Sequence, residues 1–211
     1  MRPAASGCKW WRWILRRERG ETKRANLVPL ELTSNESRYC AAVSQKVTAL
    51  RQVLVNENFC EPVNPRQWLA HLTAIKHTLG NLNNDMSFLA TLLVKDYLYK
   101  RFEISDFDAA GKPQGAAGLD IETKTEDGRL IVGELKTTRP YQQQYGFGAN
   151  QRKEMIKDLT RLASCVADHR FLFVIDEFAF SALCGKAYSS KAPGVELVNL
   201  TDGQHRMLGS D

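Results

Sequence analysis

From Thr33 onward, stretches whose apolar residues recur every three or four positions give way to stretches whose apolar residues run together. The first helical stretch opens with Thr33 and Glu36 spaced as a capping box. It carries Tyr39, Val43, Val47, Leu50 and Leu54 on one stripe and should end near Asn56. A second starts at Asn64-Pro65, a cap followed by proline at the first helical position. It is expected to bury Trp68, Leu69, Leu72, Ile75 and Leu79 before Gly80 stops it. A third, from about Asn84 to Phe102, has the stripe Phe88, Leu89, Leu92, Leu93 and Tyr97, with Asp96 on the same face and Asp85 read as a cap.

Beyond these helices the pattern changes to strands. Gly118–Thr138 reads as two β-type runs joined by an Asp-Gly turn, followed by a helix from Asn150 to Asp168 and the continuous apolar strand Phe171–Asp176. In that helix Met155, Ile156, Leu159, Leu162, Ala163 and Val166 should point inward and Arg152, Lys153, Lys157 and Arg161 outward. A hairpin, a helix and a further strand give the sheet its next member through a crossover. Val195 to Leu200 is read as an edge strand and the last ten or so residues as frayed. The fold class is therefore α/β, with a mixed central sheet and a helical N-terminal flank. The expected organisation is a basic, disordered leader over 1–26, the flank over 27–82, an α/β core over 83–200 and a tail over 201–211.

Charged residues inside the hairpin change this from a packing pattern into candidate chemistry. Glu134 and Lys136 are separated by one residue, so a pleated strand sends both side chains out of one face. Whether Asp120 joins them depends on the turn. A two-residue Asp127-Gly128 loop puts Asp120 on the opposite face, whereas a three-residue Glu126-Asp127-Gly128 loop sets it directly across from Glu134. The longer loop suits the sequence, because it needs a left-handed residue in its bulge and Gly128 supplies one. Glu134 also sits within Leu130-Ile131-Val132-Gly133-Glu134-Leu135, apolar on both faces, and a carboxylate buried there needs a partner. Two carboxylates side by side suit a hard divalent cation. Mg²⁺ takes oxygen ligands and leaves room for water and phosphate, and an adjacent ammonium neutralises charge on a reacting phosphate.

Asp120 followed by Glu134-Leu135-Lys136 on a hairpin, then a helix and another strand, resembles the PD-(D/E)XK nuclease superfamily, which includes many type II restriction endonucleases. The likeness covers about Asp85 to Asp176 and implies a restriction-endonuclease-like fold. It further implies that Asp120, Glu134 and the Leu135 carbonyl bind Mg²⁺ and that Lys136 assists the attacking water. Leu119 stands where the family often has proline. No Gln-x-x-x-Tyr element follows the lysine, which argues against the RecB-like exonuclease branch. An acid on the helix before the hairpin is an auxiliary residue in many members. Asp96 takes that place, or else is a helix-edge carboxylate paired with Lys95 or Lys100.

Charge and composition narrow the partners less than the net +5 suggests. Arg2, Lys9, Arg12, Arg16, Arg17, Arg19, Lys23 and Arg24 stand against only Glu18 and Glu21, which leaves the rest of the chain slightly acidic. A DNA groove must therefore come from local placement of basic side chains. Thr138, Arg139, Gln143, Asn150 and Lys153, at the exit of the catalytic strand, are the DNA-contact candidates, against the alternative of an ordinary long loop. The glycine-containing segment from Asp106 to Gly118 is read as a flap or a plain connector, and its glycines do not fit a nucleotide-binding frame. Five cysteines without a close pair fit a reducing compartment and give no zinc site, and the four histidines are scattered. The Trp10-Trp11-Arg12-Trp13-Ile14-Leu15 run is too short and too charged for a membrane span.

The expectation is a Mg²⁺-dependent, restriction-type DNA endonuclease acting on double-stranded DNA, cytoplasmic by default, off the membrane, with a homodimer left open. The alternatives are a repair or recombination nuclease, a nuclease fold that only binds nucleic acid, and an unrelated α/β interaction protein carrying a chance motif.

Overall fold

The computed structural model describes residues 30–56, 64–104, 106–112, 116–140 and 146–209. The leader, Gln143 and the centre of the glycine-containing segment lie outside them.

Local sequence chemistry sets the helix boundaries. Helix α1, Ser34–Asn56, starts with the expected capping box: the Thr33 backbone N–H donates to Glu36 Oε2 at 2.8 Å and the Glu36 N–H to Thr33 Oγ1 at 3.1 Å. Helix α2, Pro65–Leu79, is capped by the Asn64 side chain, which accepts from the Gln67 N–H, and ends at Gly80 with φ +61°. Helix α3, Leu82–Arg101, is capped by Asn81. Asp85 is therefore not its cap. It is buried in the first turn, 2.8 Å from Lys46 of α1.

Burial on the helical flank differs from the sequence pattern in two places. No residue of α2 is buried, and Leu69 and Leu72 are 68% and 57% exposed. The cause is tertiary: among the described residues α2 packs chiefly against α1, and Ala74, Ile75 and Thr78 are partly covered while Trp68, Leu69 and Leu72 are exposed. On α3 the inward set is Phe88, Leu92, Val94, Lys95 and Leu98, whereas Leu89 and Leu93 face out. The stripe is rotated so that Lys95, and not Asp96, occupies the buried position. Its ammonium lies 2.7 Å from Glu36 Oε2, and Glu36 Oε1 accepts the Ala109 N–H, tying α1, α3 and the following loop to one buried acid.

The sheet has five strands in sequence order: β1 Ile121–Lys124, β2 Leu130–Lys136, β3 His169–Val174, β4 Glu196–Asn199 and β5 His205–Met207. Its three middle strands are parallel, and each outer strand pairs antiparallel. Helix α4, Ala149–Ser164, connects β2 to β3. Helices α5, Glu177–Leu183, and α6, Lys186–Ser189, connect β3 to β4. One sheet face packs Ile121, Ile131, Phe171, Phe173 and Val198 against Val94 and Leu98 of α3. The other packs Val132, Leu172, Val174 and Leu197 against Met155, Leu159 and Leu162 of α4 and the residues of α5 and α6. The chain is thus a mixed, open α/β sheet covered on both sides, as the apolar character of β2 requires.

Two details at the C-terminal end depart from expectation. The 195–200 strand is not at the edge, because the stretch read as a frayed tail supplies β5, and Leu208 behind it is buried. Val166 is 96% exposed, since α4 stops at Ser164 and releases the chain before it. Among the described residues no helix is long and apolar enough to cross a membrane.

Candidate active site

The hairpin turn decides the site. Ile121 pairs with Gly133 and Lys124 with Leu130, the register of the three-residue loop. The Gly128 N–H donates to the Thr125 carbonyl at 2.9 Å and the Thr125 N–H to the Arg129 carbonyl at 3.0 Å, while Gly128 takes φ +85°. Extended by one step, this register sets Asp120 across from Glu134. The Asp120 carboxylate accepts the Leu135 N–H at 2.9 Å. Gly133, before the acid, lies in a close approach: a Cβ there would be 3.1 Å from the Phe173 ring and 3.3 Å from Ile121, so these neighbours would have to shift by a few tenths of an ångström to admit one.

Glu134 and Lys136 project from β2 toward α4, which contributes two residues that the sequence reading did not place in the site. The Lys136 ammonium lies 2.7 Å from Asp158 Oδ2 and 3.5 Å from Glu134 Oε2. Arg161 Nη2 donates to Glu134 Oε1 and lies 3.2 Å from Asp158 Oδ1. Each acid of this quartet touches both cations, and Asp120 adds a third carboxylate beside Glu134. Asp158 sits between Met155, Leu159 and Leu162 on the buried stripe of α4. An acid on that stripe was the signal that could have found it. Arg161 belongs to the row expected to face solvent, yet its guanidinium folds back over the sheet.

Electrostatics follow from this crowding. Glu134 is 1% exposed. Burial, then the charge of Asp120 and a side-chain hydrogen bond between the two acids, push its carboxyl up to about 7, with Lys136 and Arg161 opposing the rise. For Lys136 burial alone favours the neutral amine. The hydrogen bond and charge of Asp158, with the charges of Glu134 and Asp120, outweigh burial and hold the ammonium above its ordinary range. The site is short of positive charge, although two cations already stand in it.

The remaining candidates are dispersed. Asp96 is paired with Lys100 at 2.5 Å, the helix-edge alternative. Arg139 lies 3.2 Å from Asp176, whose side chain caps α5, and stacks over the Phe178 ring. Thr138, Asn150 and Lys153 are exposed, the latter two in the first turns of α4. Lys112 donates to the Leu119 carbonyl and so ties the glycine-containing segment to the approach of β1.

Among the described residues no three His, Cys, Asp or Glu side chains form a ready ligand set for a metal ion. Mg²⁺ requires only one or two carboxylates, and Asp120, at the approach to β1, and Glu134 on β2 are two oxygen donors side by side in a group where three acids outnumber two cations, so the residues fit that ion. Comparison with protein-family models, with curated proteins and with solved structures found no match to this chain.

Proposed function

We propose that the chain is a Mg²⁺-dependent endonuclease that hydrolyses phosphodiester bonds of double-stranded DNA, with a restriction-endonuclease-like core. The observation that carries this reading is the convergence of Asp120, Glu134 and Lys136 on one side of the sheet, with Glu134 buried and pushed up to about 7. Asp120, Glu134 and the Leu135 carbonyl would hold the ion, which supplies Lewis-acid polarisation of the phosphate and a more acidic water. Lys136, kept cationic and fixed by Asp158, neutralises charge developing on the phosphate oxygens. The exposed first turns of α4, carrying Asn150 and Lys153, and the exposed Thr138 offer groups to the DNA backbone.

Purified Glu134→Gln and Lys136→Met variants should each lose Mg²⁺-dependent nicking of supercoiled plasmid by at least about a hundredfold while keeping the wild-type circular dichroism spectrum. Cutting retained in either folded variant refutes the assignment. A second reading is favoured by Arg161 on Glu134, which balances the acid without any ion: a nuclease-like fold that only holds DNA. It predicts retention of plasmid with no product at any Mg²⁺ concentration.

A further inference from the structure

Arg161 has no role in the sequence pattern that defines the site, yet it makes the most direct contact with the buried acid. Its Nη2 bonds both Glu134 and Asp158, three residues earlier on the same helix. It is also the more accessible of the two cations, 41% exposed against 22% for Lys136. Both cations therefore bridge the same two acids, and Arg161 is the one nearer solvent.

Resting on the nuclease reading, we infer that Arg161 is the site's resident counter-ion, which yields Glu134 to the metal and transfers to the substrate phosphate while Asp158 retains it as a tether. The count of charges carries the argument. With all three acids ionised, Asp120, Glu134 and Asp158 outnumber Lys136 and Arg161 by one negative charge. A divalent cation reverses this to one positive charge in excess, and a single phosphodiester brings the total to zero. Arg161 on Glu134 and a metal on Glu134 are alternatives, because both would claim the same buried carboxylate. Once displaced, the guanidinium keeps its contact with Asp158 and presents its remaining N–H donors toward solvent, the geometry that bidentate phosphate recognition uses. Asp158 is thereby a positioning residue for both cations, holding Lys136 through one oxygen and Arg161 through the other.

The exchange makes metal binding and substrate binding respond to Arg161 in opposite directions, which a purely structural role would not do. Isothermal calorimetry with MgCl₂ and no DNA, on wild type, Arg161→Ala and Arg161→Lys, reads the first response. Plasmid cleavage by the same samples reads the second. Removing the competing guanidinium should tighten Mg²⁺ roughly tenfold in Arg161→Ala. Cleavage by that variant should fall by about a hundredfold at saturating Mg²⁺. Arg161→Lys, which keeps the charge but loses the fork, should fall between wild type and Arg161→Ala in both measurements, and it serves as the test if the alanine variant fails to fold. Unchanged or weaker Mg²⁺ binding in a folded variant, with a wild type that cuts DNA, overturns the counter-ion role and leaves the nuclease reading standing. A wild type that neither binds Mg²⁺ nor cuts overturns both.

Discussion

Glu134 is the residue on which the charge balance turns, and its protonation makes a prediction about the protein without any ligand. Its folded-state value of about 7 lies above its ordinary 4.5, so between those values the folded chain holds a proton that the unfolded chain has lost. The stability contributed by this group is complete below about pH 4.5 and is lost as pH rises to about 7. In wild type, relative to Glu134→Gln, which does not titrate, unfolding free energy should decline across that window by on the order of 3 kcal/mol. Denaturant titrations of both proteins at pH 5 and pH 7.5 check it, and a pH-independent difference would show that Glu134 is unperturbed. Asp120, Glu134 and Lys136 were legible from sequence because spacing on a strand and the chemistry of one turn decide which face they share. Asp158 and Arg161 were not, because their roles arise only when α4 is laid across β2.

Among elements, α3 shows how one buried ion pair can fix the rotation of a helix. Lys95 points inward to Glu36, and the Glu36 carboxylate also serves the first turn of α1 and the Ala109 N–H. Replacing Lys95 by Met leaves that acid buried with its hydrogen bonds but no counter-charge, and should destabilise the protein by about 3 to 5 kcal/mol in a denaturant titration. A loss below about 1 kcal/mol would mean that the pair is incidental. Caps and turns at Thr33, Glu36, Asn64, Gly80 and Gly128 were readable because each is decided within four residues of chain. The rotation of α3 was not, since its alternating Leu92, Leu93, Val94 and Lys95 allow two stripes and only the partner at Glu36 chooses.

At the scale of the whole molecule, the surprise lies in the helical flank, where α2 keeps a helical pattern although none of its residues is buried among the described ones. Leu69→Gln and Leu72→Gln should therefore alter unfolding free energy by under about 0.5 kcal/mol, whereas burial would have made each cost several. Thermal melts of the two variants distinguish these cases. Periodicity told correctly that residues 65–79 are helical and could not tell what lies against them. The ends of the sheet carry a different consequence. Its outer strands span only Ile121–Lys124 and His205–Met207, and beyond β1 the Asp106 and Glu103 carbonyls already take the Thr123 hydroxyl and the Glu126 N–H. A foreign chain seeking to zip onto either rim would find too few rungs to climb, so the native fold itself guards against growing into fibres.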